Sequence, residues 1–418
     1  MPATPEDQGT AGDRALPPVT ADAPAEPPPS SPVWAAQDNG AGLYPVARAA
    51  VQHSVDPDAA GWLEISLGTL PAGWSSAVAG GLASATALAA EWRLTDSWRR
   101  WVRRQTLVRK IPQELLHDLG ARGFRGALDG VADGEPVVPG CPLALVHGPL
   151  SVLAMLEQPL RHAIAIETSA ASWTARMGRA VGGRPVIATG PEGWPSVDLA
   201  ARLARAAMAG GAVGSLSAEA GVRYGVAAWS PLPTRMLVEG SELLGGALLA
   251  DLPPGELHGS IKVLAGLGQR LSTVRVTSRA HAAVLPAIRR ALDRSGLRLV
   301  RLMLDADLDE HELRAVVDAP FDLLGIRSHR LLSAMPASCV VTRWHTRGTP
   351  PARPFRGPTE DVLTRGLPPD GSVALLHPWI HKGARQHPPE HRAAAQDGAG
   401  ASLHQAGVGW PIREIPAG

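Results

Sequence analysis

Aromatic residues make up only 4% of this 418-residue chain, and twelve of them are tryptophans beside three phenylalanines and two tyrosines. Leu, Val and Ala must therefore fill the interior. Lysine is almost absent (Lys110, Lys262, Lys382), so arginine carries nearly all the positive charge. With abundant Ala, Gly and Pro, that is the stamp of a GC-rich coding sequence before it is a mark of function. Two cysteines, Cys141 and Cys339, offer neither a disulfide framework nor zinc spacing, which fits a reducing cytoplasm. The N-terminus is acidic and proline-rich, with no basic start and no apolar run, so no signal peptide is expected. The least charged stretch, Ile65 to Ala90, is too weakly apolar to cross a bilayer and contains Pro71. A formal charge of +1 argues neither for nor against a polyanionic partner.

What is present is a 45% hydrophobic composition, enough for a substantial core in two packed units with loose ends. Residues 1–37 are low in complexity, with Pro27, Pro28 and Pro29 in a row, and read as disordered. From about Gly348 the same character returns, although Val373 to Ile380 has the make-up of one strand. In between, Trp62 to Leu67 reads as a strand. Ser75 to Arg93, Leu94 to Val108 and Pro112 to Leu119 read as helices. From Pro185 the pattern alternates. Strands are expected at Pro185 to Thr189, Ala212 to Ser215, Val226 to Trp229, Ala247 to Ala250, Thr273 to Val276, Leu299 to Leu304 and Phe321 to Ile326. Helices are expected at Val197 to Met208, Ala283 to Arg294 and Asp309 to Val317. Short apolar runs between helices are the signature of buried parallel strands, and six or seven in series predict a barrel.

The run Gly134-Glu135-Pro136 through Val146-His147-Gly148-Pro149-Leu150, followed by Leu156-Glu157-Gln158-Pro159-Leu160, opens a series of short motifs. Thr174-Ala175-Arg176, Gly182-Gly183-Arg184-Pro185-Val186, Gly221-Val222-Arg223-Tyr224-Gly225 and Leu292-Asp293-Arg294-Ser295-Gly296-Leu297 continue it. Asp307-Leu308-Asp309-Glu310 and Phe321 to Gly325 complete the order. In order and spacing these motifs resemble the nicotinate phosphoribosyltransferase family over roughly Leu43 to Ser333. The resemblance implies an irregular (β/α) barrel of the type II phosphoribosyltransferase kind at 151–335 and a smaller flanking α/β domain at 38–150. Residues 336–418 are expected to pack loosely. It also implies joining of nicotinate to phosphoribosyl pyrophosphate in NAD salvage, with Mg²⁺ and ATP as cofactors if that activity survives, and a homodimer.

That chemistry builds positive charge on a sugar carbon and negative charge on departing pyrophosphate. It needs fixed donors, arginines, Mg²⁺ carboxylates and glycines that admit phosphate oxygens to the backbone. Much of this set is altered. The family's Asp-Ser-Gly-Asp loop aligns with Thr277-Ser278-Arg279-Ala280, where Ser278 alone remains. Its Ser-Gly-Asp turn aligns with Asp305-Ala306-Asp307, and Asp305 is expected to repel a phosphate. Asp307, Asp309 and Glu310 serve a helix cap equally well. Its Gly-rich phosphate loop aligns with Gly325-Ile326-Arg327-Ser328, which keeps Gly325 and Ser328 as anion candidates. Thr234 stands at the phosphohistidine position, and Thr lacks the nitrogen nucleophile. The paired arginines for the nicotinate carboxylate become Glu192-Gly193. Ser215 and Asp251 keep parts of two further motifs, and Tyr44 stands at the family's ring-stacking tyrosine. Arg176 is either an anion ligand or a helix-packing arginine.

Two other constellations stand out. Trp92 to Lys110 interleaves Trp with Arg. It can bind nucleic acid, or it can turn Trp98 and Trp101 inward and leave the arginines in water. The second reading is preferred, so a small molecule such as phosphoribosyl pyrophosphate or a pyridine is the expected partner and nucleic acid is not. His377, His381, His387 and His391 have a spacing that clamps a metal on a helix. Pro378 and Pro388-Pro389 oppose a helix there, so no metal site is expected. The sequence reading is thus a nicotinate phosphoribosyltransferase-like scaffold with its family activity weak or lost and a binding or regulatory role; the alternatives are an active divergent phosphoribosyltransferase, on nicotinate or on another substrate with Arg176, Asp251, Arg279 or Arg327 in new roles, and nucleic-acid or partner binding through Trp92 to Lys110.

Overall fold

The computed structural model describes residues 42–189, 196–240, 242–244, 247–252, 257–277, 281–305, 307–345, 376–381 and 384–385. The expectations for residues 1–37, Glu192-Gly193, Ser278, Arg279, His387 and His391 lie outside these residues, as do the side chains of Ser328, His377 and His381.

The chain begins with α1 (Leu43–Val55), β1 (Ala60–Leu67), β2 (Ala77–Val78), α2 (Leu82–Glu91), α3 (Asp96–Arg103) and α4 (Gln113–Arg122). It continues through β3 (Ala127–Val131), β4 (Pro136–Val137) and β5 (Pro142–Pro149) into the 31-residue α5 (Leu150–Ala180). Alternation then sets in: β6 (Val186–Thr189), α6 (Val197–Ala209), β7 (Ala212–Ser215), α7 (Ala218–Tyr224), β8 (Pro231–Pro233), α8 (Thr234–Glu239), β9 (Leu248–Leu252), α9 (Leu257–Ala265). It closes with β10 (Leu271–Val276), α10 (His281–Arg294), β11 (Arg301–Leu304), α11 (Glu310–Ala315), β12 (Leu323–Arg327) and α12 (Ser328–Ser333). After these come β13 (Val340–His345), β14 (Leu376–His381) and β15 (Ala384–Arg385).

The alternating part makes a seven-stranded parallel sheet ordered β7-β6-β12-β11-β10-β9-β8. Its two edges meet. The Ser215 N–H donates to the Ala227 carbonyl at 2.9 Å and the Trp229 N–H to the Ser215 carbonyl at 2.8 Å, just before the chain enters β8. The expected strand at Val226 to Trp229 is thus reduced to a single bridge at Ala228, because β8, which starts two residues on, takes up the pairing with β9. Strand residues such as Ile187, Ala250, Val274, Leu302 and Leu324 are buried, as covering helices require. A six-stranded antiparallel sheet is ordered β13-β1-β5-β3-β14-β15, so chain beyond residue 339 supplies three of its strands, and β2 and β4 pair in a small sheet of their own.

Helix starts follow local chemistry. Ser196 and Ser217 cap α6 and α7 by accepting from Leu199 N–H (3.1 Å) and Ala220 N–H (3.2 Å). Asp309 and Glu312 form a reciprocal capping box on α11. The expected helix from Ser75 is corrected: β2 and two glycines precede Leu82. A Cβ on Gly80 would lie 2.7 Å from the Glu167 carbonyl oxygen, and one on Gly81, at φ +90°, 2.6 Å from that of Ala163. Only glycine lets this segment lie directly on α5.

Candidate functional site

Ligand sites on parallel α/β sheets form where the strands end. Here the carboxyl ends of six barrel strands bring Thr189, Thr234, Asp251, Arg275, Asp305 and Arg327 together. Arg275, near the end of β10, is only 6% exposed. Its guanidinium grips Asp251 with two bonds, Nε to Oδ1 at 2.5 Å and Nη2 to Oδ2 at 2.8 Å, and reaches Asp305 through Nη1 at 3.1 Å. Asp305, 1% exposed, also accepts from the Thr189 hydroxyl at 2.8 Å. Arg327 closes on it from β12, with Nε 3.6 Å from Oδ1 and Nη2 donating to the Asp305 carbonyl at 3.3 Å. The buried pair Arg275 and Asp305 and the half-buried Asp251 and Arg327 thus neutralise one another, as burial of the central pair demands.

This arrangement revises the expectation for Asp305. It faces the arginines in the barrel interior rather than an open phosphate turn. It also lies over Gly325, where a Cβ would be 2.8 Å from the Asp305 Cγ, so that close approach is already taken. Beside the network a cleft of about 370 Å³ opens, lined by Thr234, Arg235, Asp251, Ser260, Arg275 and Thr277. The Thr234 hydroxyl donates to the Asp251 carbonyl at 3.1 Å, and Arg235 pairs with Glu239 at 2.7 Å.

Other expected site residues lie elsewhere. Tyr44 is 71% exposed on α1 and does not line the cleft. Ser215 is buried, and its hydroxyl accepts from the Ser217 N–H at 3.1 Å, holding the turn after β7. Arg176 donates through Nε to Glu310 at 3.0 Å and lies 4.5 Å over the Trp74 ring, the posture of a packing arginine. Asp307 binds His329 at 2.8 Å and Arg330 at 2.6 Å. Burial opposes its charge, yet these two partners hold its carboxyl below the usual range. Of the three acidic residues at α11, then, Asp309 caps the helix while Asp307 and Glu310 tie it to its neighbours.

Arg275 is the residue the sequence reading passed over. The signal was there: an arginine inside the apolar strand Leu271-Ser272-Thr273-Val274-Arg275-Val276 requires a buried acid nearby.

The mouth does not suit the family's cofactors. The space between the carboxylates of Asp251 and Asp305 is filled by a guanidinium rather than left for Mg²⁺, and Thr234 offers no phosphoryl-accepting nitrogen. Among the described residues no three His, Cys, Asp or Glu side chains gather as a metal site, and no helix is long and apolar enough to cross a membrane.

Comparison with known proteins gives the relationship. The chain is 30% identical over 222 residues to nicotinate phosphoribosyltransferase pncB1 of Mycobacterium tuberculosis, a match covering 49% of this chain and 49% of that protein. It is 26% identical over 301 residues to pncB2 of the same organism, covering 68% and 64%. The chain therefore spans about half the length of the first of these relatives. Nicotinate-nucleotide pyrophosphorylase from Pyrococcus furiosus and human nicotinic acid phosphoribosyltransferase share the fold, each with a TM-score of 0.62 at 17% identity over 87% of this chain and 94% of theirs. No family model matches. In sequence the chain is thus similar to nicotinate phosphoribosyltransferases over about half to two thirds of its length, and it shares their fold.

Proposed function

We propose that this protein keeps the family's scaffold without its pentosyl transfer and uses the barrel-mouth cleft to bind a small polar ligand in a regulatory role. One observation carries the reading: Arg275 and Arg327, the cations at the strand ends, are both engaged by Asp305. A pyrophosphate arriving there meets no net positive charge and would have to displace carboxylates already in place. Electrostatic stabilisation of the departing group is the largest contribution to such a reaction, and removal of one donor commonly costs a factor of ~10² or more. The other altered positions leave no nucleophilic nitrogen at Thr234 and no free pair of carboxylates. The cleft that remains has acceptors and donors on Thr234, Asp251, Ser260 and Thr277, and its two arginines, Arg235 and Arg275, are each already paired with a carboxylate, a set that suits a small polar molecule better than a sugar diphosphate.

Mass spectrometry of incubations with nicotinate, phosphoribosyl pyrophosphate, Mg²⁺ and ATP should show no nicotinate mononucleotide above the enzyme-free blank. Formation at ordinary enzyme rates, ~1 s⁻¹ or faster, would overturn the loss of transfer. A thermal-shift panel of pyridines, nucleosides and sugar phosphates should yield a ligand whose stabilisation disappears in Thr277→Val. A panel without any such ligand would remove the binding role.

A further inference from the structure

Across the flanking domain from α5, the segment 91–110 carries seven cations against Glu91 and Asp96, in a chain whose net charge is +1. Its fold does not need them. The Thr95 hydroxyl caps α3 by accepting from the Trp98 N–H at 3.2 Å, and Trp98 and Val102, one turn apart, are buried and fix the rotation of the helix. The arginines are thereby turned outward. Arg99 is held by Asp96 and lies 3.2 Å from His117 Nδ1. Arg100, Arg103, Arg104, Arg109 and Lys110 are exposed, and their side chains make neither an ion pair nor a hydrogen bond among the described residues. A cleft of about 540 Å³ opens beneath this face, where Arg99, Arg100 and Arg103 outnumber the single carboxylate, Asp96, which is paired with Arg99.

The second half of the observation is an indole. Trp101 was expected to pack inward with Trp98; instead it is 49% exposed, one helical turn from Arg104. The reason is geometric: only positions 98 and 102 face the core, and 101 falls on the flank beside the cations. Cations paired with an exposed aromatic face are what a single-stranded nucleic acid uses, its phosphates meeting the guanidiniums and a base stacking on the ring. An acidic polypeptide would use the charges and have no need of the indole.

We infer that the α3–α4 face binds single-stranded nucleic acid, with phosphates at Arg100, Arg103 and Arg104 and a base stacked on Trp101. The site is separate from the barrel mouth and independent of what the mouth binds.

Fluorescence anisotropy of the full chain with labelled 20-nucleotide oligo-U and oligo-dT, a 20-base-pair duplex and polyglutamate, from 50 to 300 mM salt, tests it. Single strands should bind more tightly than duplex or polyglutamate and quench tryptophan emission. Trp101→Ala should weaken binding roughly tenfold without altering the salt slope, and Trp101→Phe should restore most of the loss. The triple change Arg100→Gln, Arg103→Gln, Arg104→Gln should lower the slope of log affinity against log salt by about 2, at ~0.7 per single-strand phosphate. All three sites are exposed, and thermal melting should be unchanged. No binding at 50 mM salt, full affinity in Trp101→Ala, or equal affinity for polyglutamate would each overturn the proposal.

Discussion

An arginine in the middle of a parallel barrel strand persists only if its counter-charges are buried with it. Arg275 has two, Asp251 and Asp305, on the strands either side. Arg275→Met should destabilise the protein by roughly 3–5 kcal/mol, because Asp305 loses its buried partner and keeps only the Thr189 hydroxyl and the half-exposed Arg327 guanidinium at 3.6 Å. Urea denaturation measures it. Adding Asp305→Asn, which removes the stranded charge, should recover most of the loss; a double variant no better than the single one would mean that the charge is not what costs. Set against the family's motifs, the sequence reading expects altered residues at the positions that would hold phosphate, since missing glycines and carboxylates can be read from an ordered string of motifs. It did not show what the new residues do. Asp305 reads as a repulsive charge until β10 and β12 set two guanidiniums beside it, and that adjacency belongs to the sheet order, not to the local sequence.

At the scale of elements, six of the seven strands from Val186 to Arg327 were legible because each is a short buried apolar run, and buried parallel strands leave that trace; β8, a half-exposed Pro-Leu-Pro, leaves none. Ser75 to Arg93 was not, because its Ala content favours helix while the Gly80-Gly81 contact with α5 overrides it. The length of α5 was hidden by Pro159, which removes one helical bond, and by polar residues at its centre. Those polar residues have a use. Glu167, fully buried on α5, meets the Arg202 Nε at 2.9 Å and is also bonded by Arg205, while Arg202 and Arg205 share the Ser84 hydroxyl of α2 at 3.2 and 3.0 Å. Burial opposes the carboxylate, but the two arginines outweigh it and hold Glu167 below its ordinary range. A depressed folded-state pKa gives stability that is complete above the unfolded value, ~4.3, and lost as pH falls through the folded value. Glu167→Gln should therefore cost roughly 3 kcal/mol at pH 7, and its deficit against the native protein should shrink as pH drops below 4. Urea midpoints at pH 7 and pH 3 decide this; a deficit independent of pH would place the cost in packing.

Among the described residues the molecule has two large cores, and one helix belongs to both. Val152, Leu153, Met155, Leu156, Leu160 and Ile164 of α5 pack into the antiparallel half with Leu63, Ile65 and Val146. One or two turns later Ala170, Trp173 and Met177 of the same helix pack into the barrel with Val186, Leu324 and Ile326. The Glu167 cluster lies between these stretches and ties α2 to α6 across the join. A helix whose two ends are anchored in different cores cannot lose one without exposing apolar surface along its length, so the halves should unfold together. Urea titration followed by far-ultraviolet circular dichroism and by tryptophan emission should give coincident transitions. Hydrogen exchange should give α5, β1 and β10 the same, highest opening free energy. In the Glu167→Gln variant the join is weakened while both cores stay intact, so the transitions should begin to separate. If instead β10 already exchanges well before β1 in the native protein, the shared helix does not couple the halves.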